Sequence, residues 1–267
     1  MSEQASMAWF FQERQREEAV SRILLLPQTG QRVAVLAAAA GQGKTRILQQ
    51  VALELRGAAC DAVLVSLAGI GVLGALRRIV AAVSRSQHDA LALLKADGLL
   101  SDLIAALRGR RSCGGTTLLL LDDLDPAVPE VGVLLQLLMP LADDPSCGLS
   151  LVCATTGAVP GLLSEQGALR VSVSSLSAAD SESFLRGAMA RRKTKEDYLD
   201  DESVQLLAAA AEGVPRRLMQ ICELLQVHAE VWTQVQPSAE DLYELLAHLA
   251  LPHADRQDRG VALRESA

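Results

Sequence analysis

The sequence predicts an α/β fold: a three-layer α/β/α core with a parallel sheet, followed by a small segment of helices alone. Two observations predict it. Short apolar strands alternate with helical segments as far as residue 173, which is typical of a parallel sheet covered on both faces. From Leu176 onward only helical patterns remain. We therefore expect a core with an N-terminal helix over residues 1–174, a helical domain over 175–250 and a disordered tail over 251–267.

The elements of this fold follow one another in a regular order. An opening helix is predicted from about Trp9 to Leu26, before a first strand that begins at Val33. The further strands are predicted over 62–66, 116–121, 149–153 and 169–173, and the helices between them over 46–55, 72–83, 101–107 and 131–138. The C-terminal helices are predicted to start at Ser177 and to cover 201–211, 215–229 and 239–249.

Composition and charge exclude several classes of protein. Half of the 267 residues are apolar but only 3% are aromatic, which predicts an aliphatic core. No run of about 18 uncharged apolar residues and no secretory signal is visible, so we expect a cytoplasmic protein without a membrane span. The five scattered cysteines argue against a disulfide framework or a zinc site. A net charge of −7 argues against a broad nucleic-acid-coating surface.

A glycine loop follows the first strand and leads into a helix. The loop ends in Gly41-Gln42-Gly43-Lys44-Thr45, and strand, loop and helix in this order are the context of a phosphate-binding loop. The first glycine of the G-x-x-x-x-G-K-[ST] pattern is replaced by Ala38. The alternative is a plain strand–helix turn with a surface lysine. We predict that seven residues contact phosphate: Ala40, Gly41, Gln42, Gly43, Lys44, Thr45 and Arg46.

Two carboxylates follow the leucine-rich strand at 116–121. Asp122 is the expected Mg²⁺-positioning group, together with the hydroxyl of Thr45. Asp123 lies where a general base or a water-orienting carboxylate is expected. The alternative is that both aspartates merely form a turn before Pro126. Because the glycine loop precedes them, the nucleotide interpretation is favoured.

With these motifs in place, residues 8 to 250 resemble the AAA+ ATPases. The resemblance implies a sensor 1 residue at the polar end of the fourth strand, which fits Thr155 or Thr156. Gly213-Val214-Pro215-Arg216 is similar to the sensor 2 motif, in which an arginine at the start of a helix contacts the γ-phosphate; that helix belongs to the helical lid, here the domain predicted over 175–250. The alternative for Arg216 is a solvent-facing helix arginine, since Pro215 explains the helix start by itself.

The segment from Leu169 to Arg186 resembles one branch of this family, which includes secretion-associated and cell-division-associated ATPases, transposition regulators and origin-recognition proteins. In such assemblies an arginine acts in trans on the neighbouring subunit, and Arg170 is the candidate for that role; an ordinary surface arginine is the more common case. Trp9, Phe10 and Phe11 either line an adenine pocket, as the resemblance implies, or anchor the first helix.

The resemblance implies binding of ATP with Mg²⁺ and hydrolysis coupled to self-assembly through the nucleotide face. The family usually has glutamate at the position of Asp123, and the shorter side chain predicts slow turnover. The expected partner is a secretion, cell-division, signalling or transposition protein. Two alternatives remain open: a nucleotide-gated adaptor with little catalysis, and an ATP-dependent DNA-binding regulator, which the acidic charge disfavours.

Overall fold

The computed structural model describes residues 9–56, 58–85, 91, 93–125, 128–157, 159–165, 167–192, 198–231 and 236–249. Contacts between Cα atoms divide the chain into two units, Met1–Ser174 and Ser175–Ala267. The predicted disordered tail, 251–267, lies outside the described residues. Among the described helices, we find none with the length and apolar character needed to cross a membrane.

A five-stranded parallel sheet forms the centre of the first unit. Its strands are β1 (Val33–Ala37), β2 (Cys60–Ser66), β3 (Thr116–Leu124), β4 (Leu149–Thr155) and β5 (Leu169–Ser172). Their spatial order is β2-β3-β4-β1-β5, and every neighbouring pair is parallel. The carboxyl ends of β1, β3 and β4, which are neighbours, therefore meet at one edge of the sheet. That is the edge where α/β proteins of this type bind ligands.

Helices cover both faces of this sheet. They are α1 (Arg14–Leu25), α2 (Lys44–Glu54), α3 (Val72–Ser84), α4 (Ala96–Ser112), α5 (Pro129–Asp143) and the short α6 (Gly161–Glu165), with a 3₁₀ turn at Leu26–Gln28. Val33 and Val35 of β1 pack against α3, α4 and α5, whereas Ala34 and Leu36 pack against α1 and α2. Burial of each Val or Leu side chain contributes roughly 1.5–3 kcal/mol to stability. The predicted three-layer α/β/α core is confirmed.

The regular secondary structure described in the second unit is helical, as predicted. Its helices are α7 (Ala178–Arg191), α8 (Asp201–Ala210), α9 (Pro215–Val231) and α10 (Ala239–His248). Three of them begin with a side-chain cap. The caps are Ser177, Asp200 and Ser238, each of which accepts a hydrogen bond from a backbone N–H in the first turn.

Several predicted boundaries were wrong. The opening helix begins at Arg14 rather than near Trp9, because the Glu13 carboxylate caps it by accepting from the Gln15 and Arg16 N–H groups. Phe10 lies before the helix and packs on the α1/α2 side of the sheet. Helix α4 covers 17 residues instead of the predicted seven and extends five residues beyond the prediction at each end. Its C-terminal extension was missed because that last turn is basic and lacks apolar periodicity. Strand β3 continues through both aspartates to Leu124.

Candidate functional site

The loop between β1 and α2 has the backbone of an anion cradle. Gly41 and Gly43 adopt φ values of 80° and 89°, in the left-handed region that side chains other than glycine rarely enter. Gly43 is the residue before α2, and no side chain caps this helix. The first hydrogen bond into the helix runs from the Ile47 N–H to the Gly43 carbonyl. The amides of the first turn have no acceptor within the helix, and they lie at its positive end.

The alanine that replaces the first glycine of the motif does not distort this loop. Among the described residues, only Arg85, Asp123 and Glu212 are non-glycine residues with positive φ, so Ala38 has a conformation that alanine adopts without strain. The Ala38 N–H donates to the Thr155 carbonyl at 3.3 Å, which ties the start of the loop to β4. A Cβ built on Gly43 would meet no atom within 4 Å. The loop is therefore open beside Gly43, as a phosphate site requires.

Lys44 extends back over the loop. Its Nζ donates to the carbonyl oxygens of Ala38 at 2.9 Å and Ala39 at 3.1 Å. The ammonium group is thus held close to the amides of the cradle, where it adds a full positive charge to the helix dipole. This donor set fits the β- and γ-phosphates of a nucleotide.

The other predicted phosphate contacts differ in exposure. Ala40, Thr45 and Arg46 are exposed at the mouth of the loop. The Arg46 guanidinium donates to Gln49 Oε1 at 2.9 Å, along the surface of α2. Gln42 is only 2% exposed, so its side chain is a packed part of the loop rather than a group at its mouth.

Arg16, which was not among the predicted site residues, contacts this loop from the interior of the protein. Arg16 of α1 is 5% exposed, and its Nη2 lies 3.4 Å from the Gln42 carbonyl oxygen and 3.5 Å from Gln42 Oε1. Its Nη1 pairs with Glu13 Oε2 at 2.8 Å. A signal was available, because Arg16 shares the apolar face of α1 with Ala19, Val20 and Ile23. An arginine on such a face needs a buried partner.

The carboxyl end of β3 contains a bulge at the two predicted acidic residues. Leu121 lies opposite Cys153 of β4, whereas Leu124 lies opposite Thr155, so β3 has one extra residue between these points. The extra residue is accommodated at Asp123, whose φ of 56° is left-handed. Bulges beside functional sites change the direction of a side chain.

The bulge sends the two carboxylates in different directions. Asp122 is 3% exposed, and its Oδ1 accepts from the Asp123 N–H at 2.9 Å. Asp123 is exposed, and its Oδ2 accepts from the Ser66 hydroxyl at 3.0 Å. Ser66 is the last residue of β2, the strand on the side of β3 away from the glycine loop. Asp123 is therefore tethered away from the loop, a relationship that the sequence did not predict.

Thr155 completes this edge of the sheet. It is the last residue of β4, fully buried, and its Cα lies opposite Ala37 of β1 and Leu124 of β3. Thr156 follows the strand and is exposed. Because β4 lies between β1 and β3, the bulge and the glycine loop are separated by two strand spacings, about 10 Å. Thr45 and Asp122 are the side chains at this edge that could hold a magnesium ion between them.

The two predicted arginines belong to different units of the chain. Arg170 lies inside β5, within the predicted strand, and its Cα is opposite that of Val35 in β1. It is exposed and lines a groove with Gln15, Glu18 and Arg22 of α1. Arg216 is the second residue of α9 in the second unit and is also exposed.

The turn before Arg216 depends on glycine. Gly213 has a φ of 68°, its carbonyl accepts from the Leu176 N–H at 2.9 Å, and a Cβ at this position would lie 2.3 Å from the Leu176 carbonyl oxygen. The glycine of the predicted sensor 2 motif therefore has a packing role within the helical unit that is independent of any ligand.

No protein-family model and no curated protein matches this sequence. Solved structures do match it. The Orc1 protein of Aeropyrum pernix, solved in complex with DNA, has a TM-score of 0.72 at 20% identity over 92% of this chain and 68% of that one. Drosophila ORC, solved bound to DNA, has a TM-score of 0.61 at 20% identity, over 93% of this chain and 64% of that one.

A RuvB mutant of Thermotoga maritima has a TM-score of 0.58 at 16% identity, over 90% of this chain and 71% of that one. This chain therefore spans about two thirds of the length of the structures it resembles. Orc1 and RuvB are AAA+ P-loop ATPases, and the likeness shows that this chain has the AAA+ fold. The resemblance predicted from the glycine loop and the acidic strand is confirmed at the level of the fold.

Proposed function

We propose that this chain binds ATP with Mg²⁺ and uses slow hydrolysis to switch its conformation, its self-assembly and its binding of a protein partner. The observation that carries the proposal is the meeting of two features at one edge of a parallel sheet. One is the glycine loop, kept open by Gly41 and Gly43, and the other is the buried carboxylate of Asp122. An anion cradle beside a buried carboxylate is suited to a phosphate–metal complex.

In this proposal each group has a distinct role. The loop amides and Lys44 bind the β- and γ-phosphates, and Thr45 and Asp122 hold Mg²⁺ directly or through water. The ion, when bound, neutralises negative charge on the phosphate oxygens. Asp123 orients the attacking water, and the hydroxyl of Thr155 or Thr156 assists it. Arg216 would report the γ-phosphate to the helical unit, and Arg170 would act on a neighbouring subunit.

Replacement of Lys44 tests the proposal. Lys44→Ala removes a charge-assisted donor to phosphate, and we expect ATP affinity to fall by roughly a hundredfold or more, about 3 kcal/mol. The matched control is Lys95→Ala, because Lys95 is an exposed lysine at the start of α4. A fluorescent ATP analogue titrated with Mg²⁺ measures both affinities, and circular dichroism verifies folding. Equal affinity in the two variants would refute nucleotide binding at this loop.

A second candidate function is a nucleotide-gated adaptor with little catalysis. The hydrogen bond between Ser66 and Asp123 favours it, because it holds the proposed water-orienting carboxylate toward β2. Phosphate release and ATP-dependent assembly, measured on the same sample, separate the two candidates. Assembly on ATP without release favours the adaptor, whereas release that accompanies assembly favours the ATPase. A turnover well above about 10 s⁻¹ would contradict both.

The proposed partners are a second copy of this chain at the nucleotide face and a protein from a secretion, cell-division, signalling or transposition system. DNA is the less favoured ligand because the chain carries a net charge of −7. A DNA complex that weakens steeply with salt would reverse this preference, since phosphate contacts release counterions.

A further inference from the structure

We propose that a cleft beside the acidic bulge binds a basic segment of a protein partner that carries aliphatic side chains. The cleft lies between the segment that follows β2 and the start of α5, and it has a volume of about 510 Å³. It is distinct from the glycine loop, which contributes none of the residues that line it. This inference goes beyond the proposed nucleotide switch, because the docking it describes requires no nucleotide.

The floor and walls of the cleft are apolar. Leu67, Ala75 and Leu134 form its buried floor, at 7%, 2% and 2% exposure. Ile70 and Val131 are half-buried and line it as well. The described lining has no lysine or arginine. A pocket with these walls binds aliphatic groups favourably, because binding removes their surface from water.

Val128 is an exposed apolar side chain at the cleft. It is 37% exposed and lines the cavity. Two more of the seven large hydrophobic side chains that the described residues leave exposed, Leu73 at 38% and Val133 at 47%, are next in sequence to the lining residues Val72 and Leu134. Exposed apolar side chains at a concave site mark an interaction surface. A chain segment suits this site better than a small molecule, because a segment can fill the cavity and also cover the exposed Val128 side chain.

The charges of the cleft define the partner. Asp123, Asp125 and Glu130 contribute three carboxylates to its lining. Arg78 of α3 donates to the Ser66 carbonyl at 3.1 Å and is not among the residues that line the cleft. Carboxylates at the rim of an apolar cleft create a negative potential that attracts cations and repels acidic segments. A complementary segment therefore carries lysine or arginine beside leucine, isoleucine or valine.

The probe is a labelled 12-residue peptide that alternates pairs of leucine and lysine, titrated against the full chain without nucleotide. Two control peptides replace lysine by glutamate or leucine by serine. Fluorescence anisotropy gives the dissociation constants. We expect the leucine–lysine peptide to bind at least about tenfold more tightly than either control, because the cleft uses both charge and apolar contact. The Lys44→Ala variant is expected to bind it like the unmodified chain, which separates this inference from the proposed function.

Two matched pairs of variants locate the binding. Glu130→Lys and Glu202→Lys change the net charge equally, but only Glu130 lines the cleft, whereas Glu202 is exposed on α8. Val128→Ser and Val227→Ser both remove exposed apolar side chains without a change of charge, and only Val128 lines the cleft. We expect Glu130→Lys and Val128→Ser to weaken binding of the peptide about tenfold or more, and their controls to change it less than about twofold. Equal losses within a pair, equal affinity for the serine peptide, or no binding at all would overturn the proposal.

Discussion

The guanidinium of Arg16 lies against Gln42, so helix α1 contacts the glycine loop from inside the protein. Arg16 Nη2 approaches both the carbonyl and the side-chain oxygen of Gln42, at 3.4 and 3.5 Å, while Nη1 pairs with Glu13. The ion pair itself is buried, with side-chain exposures of 6% and 10%. Two residues far apart in the chain thus fix the backbone between Gly41 and Gly43, which carries the amides of the cradle.

We predict that Arg16→Ala destabilises the fold and weakens nucleotide binding together. It leaves the Glu13 carboxylate buried without this partner and removes the support of the loop, at a cost of about 2–4 kcal/mol. Arg14→Ala, on the exposed side of the same helix, is the matched control and should cost less than about 0.5 kcal/mol. Urea unfolding and titration with an ATP analogue measure the two effects. Equal losses in both variants would contradict the role of Arg16.

We predict that Ser66→Ala increases ATP hydrolysis. Without the Ser66 hydroxyl, the Asp123 carboxylate loses the hydrogen bond that draws it toward β2, and it becomes able to turn toward water at the phosphate. A hydrogen bond to a carboxylate contributes about 1.5–3 kcal/mol, and the lower end of this range corresponds to roughly tenfold faster turnover.

The control for this prediction is Ser101→Ala, an exposed serine in α4. Single-turnover phosphate release is the measurement, since it reports the chemical step without product exchange. A double variant that adds Asp123→Asn should lose the gain. If Ser66→Ala stays fast in that background, the increase has another origin than the release of Asp123.

The sequence predicted the parts of the site that local chemistry determines. The Gly41–Thr45 loop can be recognised because all of its determinants lie within five consecutive residues. The glycines allow the backbone conformation, and Lys44 and Thr45 supply the side-chain donors. The direction of Asp123 could not be predicted, because it depends on a one-residue shift in the pairing of β3 with β4. Arg16 was missed for a related reason: its partner, Gln42, is 26 positions away in the chain.

We predict opposite effects for two glycine-to-alanine changes. At Gly213 a Cβ would lie 2.3 Å from the Leu176 carbonyl oxygen, on a backbone with positive φ, so Gly213→Ala should destabilise the helical unit by at least about 2–4 kcal/mol. At Gly109, inside α4, a Cβ meets no atom within 4 Å, so Gly109→Ala should stabilise by about 0.5–1 kcal/mol. Thermal unfolding of each variant, compared with the unmodified chain, measures the shift in melting temperature. Similar shifts of the same sign would contradict the conformation described for Gly213.

We predict a loss of stability in alkaline solution that depends on Cys153. Burial in the centre of β4 raises the pKa of the Cys153 thiol from 9.0 to about 12. The unfolded chain therefore releases this proton first as the pH rises, so the thiol contributes no pH dependence below about pH 9 and destabilises the fold between about pH 9 and 12. The maximum slope for one thiol is about 1.4 kcal/mol per pH unit.

Urea unfolding at intervals from pH 8 to pH 10.5 measures this slope. Cys153→Ala should lower the free energy of unfolding at every pH because it removes packed volume. Above pH 9, however, the free energy of unfolding of this variant should fall less steeply with pH than that of the unmodified chain. Cys113→Ala, at an exposed position, is the matched control and should keep the original slope. If Cys153→Ala and Cys113→Ala decline in parallel above pH 9, the buried thiol does not account for the alkaline loss.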